Sequence, residues 1–216
     1  MIKNIVFDMG QVLVDFNPDF FIGHYTQDPE DIRLIRTEVF ERGEWVEMDR
    51  GTVTEEDIIA PICARLPERL HEAAIGVLLH WQDYMKVLDN ILPLVRELKK
   101  SGYSLYLLSN ASKSIHRFTD KIIALQYFSG TFFSADVHYL KPDKTIYMKF
   151  FEKFSLDPRE CYFIDDRIDN VEAGRKLGME GFCYTGDVAL LRAALHEAGI
   201  CPTPDDNIEV ICNENV

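Results

Sequence analysis

The amino-acid sequence predicts an α/β fold, a doubly wound parallel sheet with a helical segment inserted after the first strand. Two observations predict the sheet. Short apolar runs without polar alternation are typical of strands buried on both faces, and stretches with helical periodicity lie between these runs. A third observation predicts the insert, because the strand-like pattern stops after the first run and does not return before residue 88.

Each predicted strand is an apolar run that ends in a polar residue, and three of these ends supply candidate site residues. The runs are NIVFD (4–8), SLYLLSN (104–110), TFFSAD (131–136), CYFIDD (161–166) and GFCYT (181–185). In doubly wound sheets, ligands bind beyond the carboxyl ends of the strands. We therefore expect Asp8, the pair Ser109 and Asn110, and the pair Asp165 and Asp166 to meet at one edge of the sheet.

The segments between the runs have the periodicity and the end signals of helices. The stretch 90–102 places apolar residues on one face and ends in Lys99, Lys100 and Gly102, which is a helix-stop pattern. Similar stretches cover 144–154, 170–177 and 188–199. Strands that alternate with helices predict right-handed crossovers and a parallel sheet.

The insert consists of helical pieces that cover 28–45, 54–66 and 68–85, with Asp28 and Thr54 as N-cap candidates. These patterns predict an α/β core of residues 1–13 and 89–216 and a helical cap of residues 14–88. The chain from residue 201 onward is rich in Pro, Asp and Asn, and we expect it to pack loosely.

Composition narrows the class of partner. The net charge of −13 argues against nucleic acid or an anionic membrane as a partner, since both need a basic surface. No apolar run suits a signal peptide or a membrane span, so we expect a soluble, cytoplasmic protein. The five cysteines show no CxxC spacing. Buried free thiols are therefore expected rather than disulfides or a zinc site.

The polar strand ends indicate chemistry on an anionic substrate. Three carboxylates, Asp8, Asp165 and Asp166, are costly to gather unless a cation balances them. Oxygen ligands of this kind favour Mg²⁺. Ser109 and Asn110 offer donors for phosphoryl oxygens, and Lys141, in the loop that follows the third run, offers a positive charge.

Four of these segments, in this order and each after a strand, resemble the four motifs of the haloacid dehalogenase superfamily. They are FDMGQVL (7–13), LLSN (107–110), LKP (140–142) and FIDDRIDN (163–170). The resemblance covers roughly residues 1–13 and 89–199 and implies a Rossmann-like core, and the insert is similar to the family's small helical cap. Within the superfamily, the first and fourth motifs are most similar to those of bacterial sugar-phosphate phosphatases, the α-glucose-1-phosphate phosphatase-like subgroup.

The resemblance implies a Mg²⁺-dependent phosphomonoester hydrolase. Asp8 would be the nucleophile and carry the phosphoryl group, and Ser109, Asn110 and Lys141 would bind that group. Mg²⁺ would be held by Asp8, the backbone carbonyl of Gly10 and Asp166, with Asp165 bound directly or through water. Asn170 would orient the metal ligands or Lys141. The expected partner is a small phosphomonoester, such as a sugar phosphate, and the expected state is a monomer or weak homo-oligomer.

One position departs from the family pattern. Most phosphatases of the superfamily have a second aspartate two residues after the nucleophile, as general acid, and this chain has Gly10 there. Loss of a general acid typically costs ~10²–10⁴-fold in rate. A substrate with a good leaving group, such as a sugar 1-phosphate, would suffer least. Residues weighed as replacements are Asp15, His24, His80 and His116.

Two alternatives remain open from the residues. A dehalogenase of the same superfamily also lacks the second aspartate, but it works without metal, which leaves the pair Asp165 and Asp166 unexplained. A non-catalytic phosphate-binding module would explain Gly10, but such a module does not need Asp8, Lys141 and Asp166 together.

Overall fold

A computed structural model of the chain, which describes residues 1–204, has a five-stranded parallel sheet at its centre and confirms the predicted α/β class. The strands in chain order are β1 (Asn4–Phe7), β2 (Val14–Asp15), β3 (Lys86–Val87), β4 (Ser104–Ser109), β5 (Gly130–Phe133), β6 (Cys161–Asp165) and β7 (Glu180–Cys183). The central sheet has the order β5-β4-β1-β6-β7, with every pair parallel.

The sheet is buried on both faces because helices cover each of them. The helices in chain order are α1 (Pro18–Ile22), α2 (Pro29–Val39), α3 (Gly43–Arg50), α4 (Glu55–Arg65), α5 (His71–His80), α6 (Leu92–Lys100), α7 (Lys144–Phe154), α8 (Ile168–Lys176) and α9 (Val188–Glu197). Side chains of β1 alternate between two apolar clusters. Ile5 and Phe7 join the cluster that includes α6, and Val6 joins the cluster that includes α7. This two-sided burial explains the continuous apolar runs of the sequence.

The chain reverses its direction of travel across the sheet at β1. From β1 it proceeds to β4 and β5 on one side, and it then returns to build β6 and β7 on the other. Such a reversal opens a crevice at the carboxyl ends of the central strands. The ends of β1, β4 and β6 therefore border one space.

The segment from residue 14 to residue 88 corrects two predictions. No strand was expected there, but β2 and β3 form a two-residue antiparallel pair where the chain leaves and rejoins the sheet region. Such short strands leave no periodicity in a sequence. The stretch 28–45 also contains two helices rather than one, since α2 ends at Val39 and α3 begins at Gly43.

Two helix N-caps in this segment are those predicted from the sequence. The side chain of Asp28 accepts hydrogen bonds from the backbone N–H groups of Glu30 and Asp31, and Thr54 forms a capping box with Asp57. Both predicted N-caps are thus confirmed. The short helix α1 was not predicted, although Asn17 caps it through the N–H of Phe20 and Pro18 begins it.

Other details of the core also differ from expectation. The run TFFSAD is strand only to Phe133, and residues Ser134–Asp136 form a 3₁₀ turn. The connection from β4 to β5 is made by three further 3₁₀ turns, Lys113–Arg117, Thr119–Lys121 and Ile123–Tyr127.

Cys161 is buried, Cys63 and Cys183 are half-buried and Cys201 is exposed; all four are free thiols. The expectation of buried thiols therefore fails for Cys201, and Cys212 lies outside the described residues. Most of the tail predicted to pack loosely also lies outside them. None of the helices within residues 1–204 combines the length and apolar character needed to cross a bilayer.

Gly51 fixes the approach of α3 to the sheet region, and its replacement should be costly. It has a φ of +76°, and a Cβ there would lie 2.4 Å from the carbonyl oxygen of Ala135. We expect Gly51→Ala to lower the free energy of unfolding by about 2–4 kcal/mol, measured by urea denaturation, since a left-handed conformation costs an alanine ~1–2 kcal/mol before any clash.

Gly102→Ala is the matched control for that prediction. Gly102 has a φ of +89° but no heavy atom within 4 Å of its added Cβ. This variant should therefore lose only the part of the free energy of unfolding that comes from the left-handed conformation, with no contribution from a clash. Equal losses in the two variants would contradict the close packing of Gly51 on Ala135.

Candidate active site

The polar strand ends predicted from the sequence meet at one edge of the sheet. Asp8 follows β1, Ser109 is the last residue of β4, and Asp165 is the last residue of β6. The N–H of Asp8 donates to the carbonyl of Ile164 at 2.8 Å, which ties the end of β1 to β6. The parallel register of these three strands thus brings the predicted residues together.

Lys141 reaches this edge from the loop that precedes α7. Its Nζ lies 2.8 Å from Oδ1 of Asp8 and 2.7 Å from Oδ2 of Asp165, and it donates to the carbonyl of Leu108 at 2.8 Å. The side chain of Lys141 is 1% exposed. A buried ammonium with three oxygen partners is held firmly in place.

Asn110 holds the loop that carries Lys141. Its Nδ2 donates to the carbonyl of Lys141 at 3.0 Å, and its Oδ1 accepts from the N–H of Lys141 at 2.8 Å. Asn110 lines the cavity described below, but its amide is engaged with the backbone of Lys141. The sequence interpretation of Asn110 as a phosphate donor did not anticipate this arrangement.

Asp165 is fully buried and engaged on both oxygens. Its Oδ1 accepts from the N–H of Arg167 at 2.8 Å and from Nδ2 of Asn170 at 2.9 Å, while its Oδ2 accepts from Lys141. Asn170 is itself buried. Asp166, by contrast, is partly exposed and lines the cavity. The two neighbouring carboxylates thus have different surroundings.

The electrostatics of the cluster follow from burial and from its like charges. Burial raises the pKa of Asp8 to about 6, and Lys141 opposes this rise while Asp165 adds to it. Burial, and then the charge of Asp165, also raises the pKa of Asp166. Burial alone would lower the pKa of Lys141, but Asp8 and Asp165 offset it and the pKa is raised. Lys141 therefore stays charged at neutral pH.

The carboxylates are close enough to share a cation. Asp8, Asp165 and Asp166 each offer an oxygen, and the three oxygens lie within 4.8 Å of one another. Three carboxylates face one buried ammonium, so a divalent cation would neutralise the remaining negative charge. The donors are all oxygen, which suits Mg²⁺. Because Asp165 is already engaged, Asp8 and Asp166 are the better placed ligands.

A cavity of about 480 Å³ opens onto these residues. Its polar floor includes Asp8, Gly10, Ser109, Lys141 and Asp166. Residues of the inserted helical segment give the cavity an apolar wall, formed by the aromatic side chains of Phe16, Phe40, Trp45 and Trp81 together with Val46 and Met85. A substrate in the cavity would therefore place a charged end on the sheet and an apolar part against this wall.

The aromatic wall is a packed cluster. The ring of Phe16 lies 5.4 Å from that of Trp81 and 5.8 Å from that of Trp45, and Phe40 lies 4.6 Å from Trp45. Tyr84, also in the inserted segment, packs instead against His24, with ring centres 4.0 Å apart. The wall is thus both a part of the apolar core and a surface of the cavity.

Asp49, near the end of α3, also lines the cavity, and sequence reasoning missed it. Burial raises the pKa of Asp49 to about 7, the charge of Asp8 contributes to the rise, and the backbone of Ser112 and the side chain of Trp45 oppose it. No pattern in the sequence marked this residue, because its place depends on how α3 docks against the sheet region.

The other candidates for a replacement acid lie elsewhere in the part of the chain that the structure describes. His24 packs against Phe20, His116 against Phe133, and His80 lies 3.5 Å from Asp83. Asp15 is in β2, and it is not among the residues that line the cavity.

Comparisons with known proteins agree with this architecture. A sequence model of the haloacid dehalogenase-like hydrolase family matches residues 2–178. Over 197 residues the chain is 27% identical to the D-ribitol-5-phosphate phosphatase of Bacteroides thetaiotaomicron, with 84% of this chain and 91% of that protein covered. Over 189 residues it is 26% identical to a sesquiterpene phosphatase of Aspergillus oryzae, with 87% and 92% covered.

A solved structure shares the fold. It is a haloacid dehalogenase family enzyme of Bacteroides thetaiotaomicron, crystallised with magnesium and inorganic phosphate. The two structures match with a TM-score of 0.66 and 22% sequence identity, over 88% of this chain and 99% of that one. At this identity the likeness concerns the fold.

Proposed function

We propose, from the premise that this chain belongs to the haloacid dehalogenase-like hydrolase family, that it is a Mg²⁺-dependent phosphomonoester hydrolase. The observation that carries the proposal is the buried ion pair of Lys141 and Asp8 beside Asp165 and Asp166. A nucleophilic carboxylate, a fixed cation and a set of oxygen ligands are the parts that phosphoryl transfer needs. The phosphatases among the relatives support the same reaction class.

In the proposed reaction, a carboxylate oxygen of Asp8 attacks the phosphorus of the ester and forms an aspartyl phosphate. Lys141 lies 2.8 Å from Asp8, so its charge is placed to stabilise the negative charge of the phosphoryl oxygens. The hydroxyl of Ser109, which ends β4 and lines the cavity, would donate to the same group. Water then attacks the phosphorus, which releases phosphate and restores Asp8.

The supporting residues have distinct tasks in this proposal. Asn110 positions the backbone of Lys141, and Asn170 positions Asp165, which in turn holds Lys141. Mg²⁺ would be held by Asp8, Asp166 and the carbonyl of Gly10, with Asp165 near it or bound through water. When bound, it neutralises charge on the transferring phosphoryl group.

Mg²⁺ should stabilise the protein as well as support turnover. We expect Mg²⁺ to raise the melting temperature of metal-free protein, since a ligand that binds the folded state stabilises it. Asp166→Asn should remove most of this increase and most of the activity, and EDTA should abolish phosphate release by the native protein. The measurement is thermal unfolding with and without Mg²⁺.

Asp169→Asn is the control for Asp166→Asn. Asp169 lies three residues further along and is exposed. Its variant should respond to Mg²⁺ as the native protein does. Equal loss of the Mg²⁺ response in both variants would contradict the assignment of Asp166 as a ligand.

The residues that line the cavity narrow the range of possible substrates. Phe16, Phe40, Trp45 and Trp81 line the same cavity as the carboxylates, so an ester whose organic group has apolar surface matches this lining best. A small sugar phosphate is the second candidate. The ribitol phosphate phosphatase among the relatives supports it, and a sugar ring can stack its C–H face on an aromatic ring.

Phosphate release from a panel of esters tests the function and separates these substrate classes. The panel should contain prenyl, aryl and sugar phosphates, each assayed with Mg²⁺ and with EDTA. Halide release from 2-haloacids without metal would instead favour a dehalogenase. Tight binding of phosphate without turnover of any ester would favour a non-catalytic module.

A further inference from the structure

Gly10 raises the question of which group protonates the leaving oxygen. A Cβ added at Gly10 would meet no atom within 4 Å, and its φ is not in the left-handed region. Neither space nor backbone conformation therefore requires glycine at this position. The position has room for a carboxylate side chain. Because the chain has none there, we expect the proton donor to lie elsewhere in the cavity.

Asp49, on the helix α3 of the inserted segment, is one of the residues that line the cavity. It shares the cavity with Asp8, and the charge of Asp8 acts on its carboxyl group. Burial and this charge place the pKa of Asp49 at about 7, where a carboxyl group holds a proton for part of the time at neutral pH.

The backbone of Asp49 is tied to the loop after β4. Its carbonyl accepts a hydrogen bond from Oγ of Ser134, and the same Oγ accepts from the N–H of Ala111 at 2.9 Å. Ala111 follows Ser109 and Asn110 directly. One serine hydroxyl therefore links the residue on α3 to the segment that binds the phosphoryl group in the proposed function.

Two neighbours of Asp49 dock on the same region. Nδ1 of His138 lies 3.0 Å from the carbonyl of Arg50, and Gly51 packs on the backbone of Ala135. The three successive residues Asp49, Arg50 and Gly51 are thus held against the segment from Ser134 to His138. This precision suits a group that must reach one atom of a substrate.

The charged groups around Asp49 come from three sides. On its own helix are Glu47 and Arg50, which pair with each other at 3.2 Å. The turn Ser134–Asp136 carries Asp136, and His138 follows shortly after it. The charged residues that share the cavity with Asp49 are Asp8, Lys141, Asp166 and Arg167.

We propose that the carboxyl group of Asp49 is the general acid of this enzyme, in place of the aspartate that the chain lacks at Gly10. The inference rests on the proposed phosphatase function. When Asp8 attacks phosphorus, the bond from phosphorus to the leaving oxygen breaks and its electron pair stays on that oxygen. Asp49 gives its proton to this oxygen, which leaves as an alcohol, and Asp49 becomes a carboxylate.

The second half of the reaction restores the acid. A water molecule attacks the phosphorus of the aspartyl phosphate and gives its proton to the carboxylate of Asp49. The bond from phosphorus to the oxygen of Asp8 breaks, and its electron pair returns to Asp8. Phosphate leaves, and both carboxyl groups regain their first states.

The test is the dependence of rate on the leaving group. An alkyl phosphate needs a proton on its leaving oxygen, whereas p-nitrophenyl phosphate does not. Asp49→Asn should lower kcat/KM for the alkyl ester by about 10²-fold or more, with little change for the nitrophenyl ester. The substitution leaves the backbone anchors in place, so a structural role would lower both rates together.

Three further measurements complete the design. Glu47→Gln, on the same helix but outside the cavity, should leave both rates unchanged. Gly10→Asp in the Asp49→Asn background should restore turnover of the alkyl ester, because it supplies a carboxyl group at the open position. In the native protein, rates should depend only weakly on the acidity of the leaving alcohol, and this measurement needs no variant.

The outcomes are distinct. Parallel loss with both esters, no loss with either, or a steep leaving-group dependence in the native protein would each overturn the role of Asp49 while leaving the phosphatase function intact. No phosphate release by native protein from any ester would overturn the proposed function and this inference with it.

Discussion

Asp8→Asn is expected to lower the rate of phosphate release by at least about 10⁴-fold, since loss of a nucleophile removes the covalent route itself. The change is nearly isosteric, and Lys141 keeps its pair with Asp165. Burial raises the pKa of Asp8 to about 6. At pH 7.5 the group is therefore an ionised, buried carboxylate, and this ionisation lowers the stability of the folded protein. A neutral amide there should therefore retain thermal stability at pH 7.5.

Asp15→Asn is the control for Asp8→Asn. Asp15 follows the same segment of chain and lies outside the set of residues that line the cavity. This variant should keep native turnover. A folded Asp8→Asn protein that still releases phosphate at a rate near the native one would exclude Asp8 as the nucleophile.

Lys141→Met should have the largest effect on stability and a large effect on rate. The buried ammonium pairs with Asp8 and Asp165, and its removal leaves two buried carboxylates without their cation. Breaking a buried ion pair in this way typically costs ~3–5 kcal/mol. The loss of a fixed charge at the phosphoryl group should also lower kcat by about 10³-fold.

The stability loss in Lys141→Met should depend on pH. Lys141 lowers the pKa of Asp8, so its removal lets that pKa rise further. Between the unfolded pKa and this raised folded pKa, the folded state binds more protons, and stability therefore falls as pH rises. Urea unfolding should show a larger loss at pH 7.5 than at pH 5. Lys144→Met, at an exposed position three residues away, is the matched control, and a similar loss there would contradict the account.

The central sheet was predictable because its signal is local. Continuous apolar runs mark strands buried on both faces, and parallel topology then brings their carboxyl ends to one edge. This is why Asp8, Ser109 and Asp165 could be grouped from the sequence before any contact was known. Lys141 was added to this group from its positive charge in the loop after a predicted strand and from the resemblance of motifs, and its pairing with Asp8 became visible only in the structure.

The features that were missed depend on contacts between distant segments. The carbonyl of Asp49 meets the hydroxyl of Ser134 across 85 positions of sequence, and no periodicity encodes such a contact. The pairing of β2 with β3 has the same origin. Asn110 was assigned from its place at a strand end and from the resemblance to the second motif, whereas its engagement with the backbone of Lys141 depends on loop geometry.

The account depends most on covalent catalysis by Asp8, and the most direct measurement is to trap the phosphorylated enzyme. Native protein would be mixed with Mg²⁺ and p-nitrophenyl phosphate, quenched in acid within its first turnovers, digested and analysed by mass spectrometry. We predict one acid-stable, hydroxylamine-sensitive phosphoryl group on the peptide that contains Asp8. Rapid phosphate release with no phosphoryl group on that peptide at any quench time would contradict the account.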